Sequence, residues 1–213
     1  MLEGFTWFKQ SGYRWEGDGR VVYIDPWEPE GPPADLILIT HAHADHFVPD
    51  DIDSLRKDGT KLVAPRDIAG ELRGDVTPVA PGDAVEVAGV RIQAVPAYNI
   101  VEHRLEAHPK ANNWVGYVLT LGGHDYYHAG DTDHLPELDS VRANVTFLPI
   151  GGDPYTMDAD EAGGLARAIS PDLAVPMHYG FVVGSPGDSE RFVKAAAPVQ
   201  VSVLEPLRPF EQP

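Results

Sequence analysis

The sequence contains no cysteine in 213 residues. Disulfides, iron–sulfur clusters, thiolate-bound zinc and a thiol nucleophile are therefore excluded. Positive charge is scarce as well: 16 Lys and Arg stand against 33 Asp and Glu, for a formal charge of −17. Lys9, Lys57, Lys61, Lys110 and Lys194 are the whole lysine complement. Such a field repels phosphate backbones and anionic bilayers, so nucleic acid is disfavoured as a partner. It suits a salt-rich cytoplasm, where screening relieves self-repulsion, as well as an ordinary acidic surface. Long apolar runs are missing too. Nothing approaches the ~20 residues of a membrane span, so no membrane association is expected. Met1-Leu2-Glu3-Gly4 has neither the basic start nor the apolar run of a signal peptide, and the expected location is cytoplasmic. The composition assigns no oligomeric state.

What is present reads as globular: 43% hydrophobic and 23% charged residues. Residues 1–213 are expected to form one domain, long enough to hide roughly 70% of the unfolded surface. Short apolar runs predict strands at residues 21–24, 36–40, 62–64, 84–87, 90–95, 114–121, 125–128, 145–150, 173–176 and 199–204. Helices are expected at 50–57, 67–72, 158–168 and 189–196, the third with Thr156 as its N-cap. Strands mixed with helices in this way predict sheets covered by helices, an α/β layered domain.

Chemistry concentrates in Thr40-His41-Ala42-His43-Ala44-Asp45-His46, directly after the buried strand 36–40. Three imidazoles and a carboxylate so close together are hard to explain as surface composition. Where the strand opens into a loop, His41 and His43 can converge on one metal, and Asp45 and His46 can face a second. Imidazole with carboxylate suits Zn(II), Mn(II) or Fe(II). The carboxyl end of a strand is also where sites of layered α/β folds open.

Two further strands end in ligand-type residues. Tyr127-His128-Ala129-Gly130-Asp131-Thr132-Asp133 brings an apolar strand to Asp131, whose two oxygens could bridge two ions. Val175-Pro176-Met177-His178-Tyr179-Gly180 ends another on His178. Near the loop 151–157, Tyr155 is a candidate substrate contact, as are Tyr179 and Asn99. His134 reads as a solvated loop residue, with proton donation as its rival reading.

In order and type these residues resemble the metallo-β-lactamase superfamily, with its HxHxDH motif, isolated His, strand-terminal Asp and final His. The resemblance runs from Val21 to about Gly180. Within it, Ala97-Tyr98-Asn99, His108-Pro109-Lys110, the residues around Asp131 and Pro176-Met177-His178 are similar to a subgroup of small metal-dependent hydrolases near the lactonase and phosphodiesterase branches. Asp25 matches the family's first motif, where it supports the HxHxDH loop. Tyr98 and Asn99 stand where many relatives place the isolated His. His108 is favoured for that role, because its separation from Asp131 resembles the family's commoner spacing; His103 is the alternative.

The resemblance implies a four-layer αββα sandwich with its site at one edge. It implies His41, His43 and His108 on one metal, Asp45, His46 and His178 on another, and Asp131 bridging. Two divalent ions, zinc first and Mn(II) or Fe(II) as alternatives, would share a hydroxide ~3.5–4 Å from metal to metal. That hydroxide would attack a small ester, lactone or phosphodiester, with Asp45 and Asp131 as catalytic carboxylates. The rival readings are an iron-dependent oxidoreductase of the thiol-dioxygenase kind and a non-catalytic metal-binding domain. The expected partner is a small-molecule substrate.

Overall fold

The computed structural model describes residues 1–211. Its first six strands are β1 (Phe5–Trp7), β2 (Tyr13–Gly17), β3 (Arg20–Ile24), β4 (Leu36–Leu38), β5 (Lys61–Pro65) and β6 (Asp75–Val79), side by side in chain order. The second sheet runs from β7 (Ala84–Val87) and β8 (Val90–Pro96) through β9 (Val115–Leu121) and β10 (His124–His128) to β11 (Val145–Pro149) and β12 (Leu173–Met177). Antiparallel hairpins open each sheet; β3–β6 and β10–β12 are parallel.

Side-chain alternation builds the layers. In the first sheet, Val22, Ile24, Leu36, Leu38 and Val63 turn inward, into one core with Tyr117, Leu119, Phe147 and Val175 of the second. Their neighbours Tyr23, Ile37, Ile39, Leu62 and Ala64 turn outward, onto Ile52 and Leu55 of helix α1 (Pro49–Ser54) and its following turn, and Ile68 of α2 (Arg66–Ala69). A strand buried on both faces reads as a continuous apolar run, which is why residues 36–40 stand out in the sequence. Helices α3 (Ala159–Ile169) and α4 (Asp188–Ala196) cover β11 and β12. They approach closely because Gly163 faces Ala195, where a β-carbon on Gly163 would stand 2.5 Å from the Ala195 methyl. The result is an α/β sandwich with helices outside two sheets, as expected.

Three local expectations need correction. The cap of α3 is Asp158, not Thr156: the Asp158 carboxylate accepts from the backbone N–H of Asp160 and Glu161, and Glu161 returns a bond to the Asp158 N–H. Thr156 is buried one turn earlier, its hydroxyl on Met157 O. The strand expected at 199–204 is a single bridge between Val201 and Ala174. The run 36–40 leaves regular strand after Leu38, because Thr40 N–H turns to the Asp25 carboxylate. The short strands β1, β2 and β6 were not among the expected elements.

Candidate metal centre

The ends of β4, β10 and β12 meet at one edge of the sandwich. His41, His43, His108 and Asp131 form one cluster of ligand atoms lying within 4.8 Å of one another, and Asp45, His46 and His178 form a second. Asp131 joins them. Its Oδ2 stands 3.0 Å from His178 Nε2, 3.4 Å from both His46 Nε2 and His108 Nε2, and 3.9 Å from His41 Nε2. Asp131 can reach this position because Gly130 turns with φ +63, where a side chain would press on Val115 O and Thr40.

His46 and His108 are aimed from behind. Asp25, fully buried at the end of β3, accepts from Thr40 N–H at 2.7 Å, Thr40 Oγ1–H at 2.6 Å and His46 Nδ1 at 2.8 Å. His108 arrives on the loop between β8 and β9, its Nδ1 3.1 Å from Tyr155 O. With Nδ1 occupied in His46 and His108, their Nε2 atoms face the centre. Trp114 walls the first cluster, its ring 5.0 Å from His41 and 5.1 Å from His43.

The loop carrying His108 is pinned by Arg104, a buried guanidinium. It donates to Asp133 at 2.9 Å, Glu161 at 2.8 Å and Asp153 at 2.5 Å. Asp133 also accepts the N–H groups of Ile100 and Val101. The loop is thereby tied to the start of α3.

The electrostatics are those of a crowded, dry centre. Burial opposes charge on His178, but Asp131 and Asp45 more than offset it and raise its pKa to about 9. Burial and the neighbouring His108 lower His43 to about 4. Burial also drives His41 well below its ordinary value, helped by His46. Asp131 is held well below the usual carboxylate range, against burial, by His178 and His46. His46 Nε2, His108 Nε2 and Asp131 Oδ1 are buried without a hydrogen-bond partner among the described residues. Buried polar atoms left this way cost roughly 1–3 kcal/mol each. Imidazole nitrogens and carboxylates, buried and convergent, with Nε2 and Oδ1 atoms left unpaired, are the donor set of a divalent cation.

The remaining sequence candidates separate. A cavity of about 250 Å³ opens onto His43, Ala44, Asp45, Asp131, Tyr155, His178 and Val182. Tyr155 thus reaches it. Asn99 does not: it is buried behind His108, donating to Arg104 O and Tyr155 O. Tyr179 is also turned away, packed on Trp7 with ring centroids 5.3 Å apart. His103 is exposed and pairs with Asp153 at 2.7 Å, away from both clusters, so His108 and not His103 meets the centre. His128 is buried on Ser11 O, and His134 faces Asp139 at 2.7 Å.

Sequence reasoning missed Gln10 and Trp114. Gln10, in the β1–β2 turn, places its side-chain nitrogen 3.1 Å from Asp45 Oδ2 and 3.0 Å from His178 Nε2. No motif marks it. Gln10, Asp25 and His178 have φ of +52, +45 and +56, left-handed backbone at three positions that touch the site. Such strain clusters at functional sites, where it is held by the surrounding structure.

Similar proteins agree in family and fold. Residues 4–178 match the model of the Beta-lactamase superfamily domain. A UPF0173 metal-dependent hydrolase of Methanopyrus kandleri is 32% identical, over 97% of this chain and 99% of its own length. One from Thermococcus onnurineus is 35% identical, over 89% and 91%. Among solved structures, a metal-dependent hydrolase from Parabacteroides distasonis superposes with a TM-score of 0.84 at 32% identity, covering 95% of this chain and 92% of that one. Igni18, a metallo hydrolase from Ignicoccus hospitalis, superposes with a TM-score of 0.77 at 28% identity, over 95% and 94%. On this likeness of sequence and fold, the chain belongs to the UPF0173 metal-dependent hydrolase family of the beta-lactamase superfamily.

Proposed function

We propose that the chain is a hydrolase with two divalent ions, zinc by preference, acting on a small ester, lactone or phosphodiester. The observation that carries this reading is the placing of four imidazole nitrogens within 3.0–3.9 Å of one buried carboxylate oxygen of Asp131. Four protonated rings there would repel one another, and neutral rings leave Nε2 atoms without partners. Divalent cations relieve both conflicts.

His41, His43 and His108 would hold one ion and Asp45, His46 and His178 the other, with Asp131 shared. Bound there, the pair would bring a water's pKa towards neutrality and polarise the scissile carbonyl or phosphoryl oxygen. Asp45 lines the cavity and is the chain's acid–base candidate; its side chain is 19% exposed, against 2% for Asp131. It is held in the carboxylate form, against burial, by His46 and His178. It can therefore accept a proton from the attacking water and pass it to the leaving oxygen.

Tyr155 and Val182 form the outer wall. No Lys or Arg lines this cavity, and the two nearby buried cations are committed: Lys9 to Glu28 and Glu211, Arg104 to three carboxylates. Nothing in the wall answers a second anionic group, so uncharged esters and lactones fit better than phosphomonoesters. The test is a panel of aliphatic lactones, aryl esters and an aryl phosphodiester with zinc-loaded protein. Turnover of an ester or lactone that is lost in Asp131→Ala supports the reading. No hydrolysis of any member by protein carrying two ions contradicts it.

A further inference from the structure

We propose that Gln10 is a positioning residue of the second metal cluster, fixing the Asp45 carboxylate relative to His178. The proposal rests on the two-ion reading above. Asp45 follows β4 of the first sheet and His178 follows β12 of the second, so no local backbone relation sets their spacing. Their ligand atoms stand 3.6 Å apart, too far for a hydrogen bond. The Gln10 amide nitrogen spans that gap, 3.1 Å from Asp45 Oδ2 and 3.0 Å from His178 Nε2. Among the described residues, this is the hydrogen bond that the Asp45 carboxylate accepts from a side chain.

The backbone of Gln10 adds a second tie. Its carbonyl accepts from His178 N–H at 3.0 Å and from the Trp7 indole at 2.9 Å. These bonds hold a non-glycine residue at φ +52, a conformation that costs about 1–2 kcal/mol. A glutamine kept for stability alone would be satisfied. Gln10 is fully buried, and its side-chain carbonyl oxygen has no partner among the described residues. The residue thus carries a strained backbone and an unpaired polar atom, while its amide donates to Asp45 and its backbone carbonyl holds the His178 N–H. The first cluster, His41, His43, His108 and Asp131, makes no hydrogen bond with Gln10 among the described residues. Its effect should therefore fall on one ion and not the other.

The test is competitive chelator titration of the metal-stripped full chain with Zn(II), comparing wild type with Gln10→Leu, and with Gln10→Ala as a second variant should the first fold poorly. Removing a group that orients a metal ligand typically costs ~10–100-fold in affinity. One of the two dissociation constants, that of the ion at Asp45, His46 and His178, should rise by that factor in the variants. The other should stay within about twofold, and the Tm of the metal-free protein should hold. Unchanged constants for both ions overturn the proposal, as do equal losses at both ions with a lowered metal-free Tm, the sign of a merely structural role. Should wild type itself bind fewer than two zinc ions, the two-ion reading fails and this proposal falls with it.

Discussion

His46 Nδ1 lies 2.8 Å from Asp25 Oδ2, and both side chains are completely buried. That bond decides which nitrogen of His46 is free: Nε2, which faces Asp45 and Asp131 at 3.6 and 3.4 Å. The same carboxylate holds Thr40 through its N–H and hydroxyl, fixing where the ligand loop leaves β4. Asp25 therefore acts on the centre through His46 and Thr40. Asp25→Ala should lower zinc affinity ~10–100-fold, read by chelator competition. An unchanged affinity would show that His46 needs no such support.

Arg104 should matter through the loop that carries His108. Arg104→Ala strips the guanidinium from Asp133, Asp153 and Glu161. Breaking a buried pair on one side typically costs about 3–5 kcal/mol. Here Asp133 keeps two backbone donors, which places the loss towards the lower end. Thermal denaturation of the metal-free protein should show a clear fall in Tm, with affinity for the first ion also reduced. A variant with wild-type Tm would mean that the loop is held by other contacts.

Helix α3 offers a control. Asp158→Ala removes the acceptor for the N–H groups of Asp160 and Glu161. Loss of an N-cap typically costs about 1 kcal/mol. Denaturant titration should show a loss of that order while metal content stays unchanged, since Asp158 is in neither cluster.

The sequence made the HxHxDH loop legible because it is local: four ligand-type residues lie within six positions, 41–46. Asp131 and His178 were legible because each ends an apolar strand. His108 could be preferred over His103 by spacing, although both lie in one polar loop. Gln10 was invisible, since only the fold brings the β1–β2 turn beside Asp45 and His178. Asn99 and Tyr179 lie off the cavity for the same reason: neither a family position nor a place beside His178 in the chain fixes where a side chain turns. Asp158 displaced Thr156 as the cap because its own Glu161 completes a reciprocal bond. Residues 199–204 look like a strand by pattern, yet pair at Val201 alone.

Proton linkage gives a pH prediction. In the metal-free protein, the His178 pKa is raised from 6.5 to about 9. Its stabilising contribution is complete below pH 6.5 and is lost as pH rises through 9. His43, lowered to about 4, has the opposite slope: it costs stability as pH falls from 6.5 through 4. The combined contribution of these two groups to the stability of the metal-free protein is therefore greatest near pH 6.5. With His178 as a ligand, as proposed, a metal ion would take the place of its proton, so zinc uptake at neutral pH should release protons. Calorimetric titration in two buffers of different ionisation enthalpy measures that release directly. Zero release would mean that His178 is already neutral or is not a ligand.

The most direct measurement of the central claim is bound metal per chain, by elemental analysis of protein purified without chelator, for wild type and Asp131→Ala side by side. Two divalent ions per wild-type chain, with zinc predominant, and a clear loss in the variant are the predicted result. Failure of wild type to take up metal even on reconstitution, or two ions retained by Asp131→Ala, would contradict a binuclear centre built around Asp131.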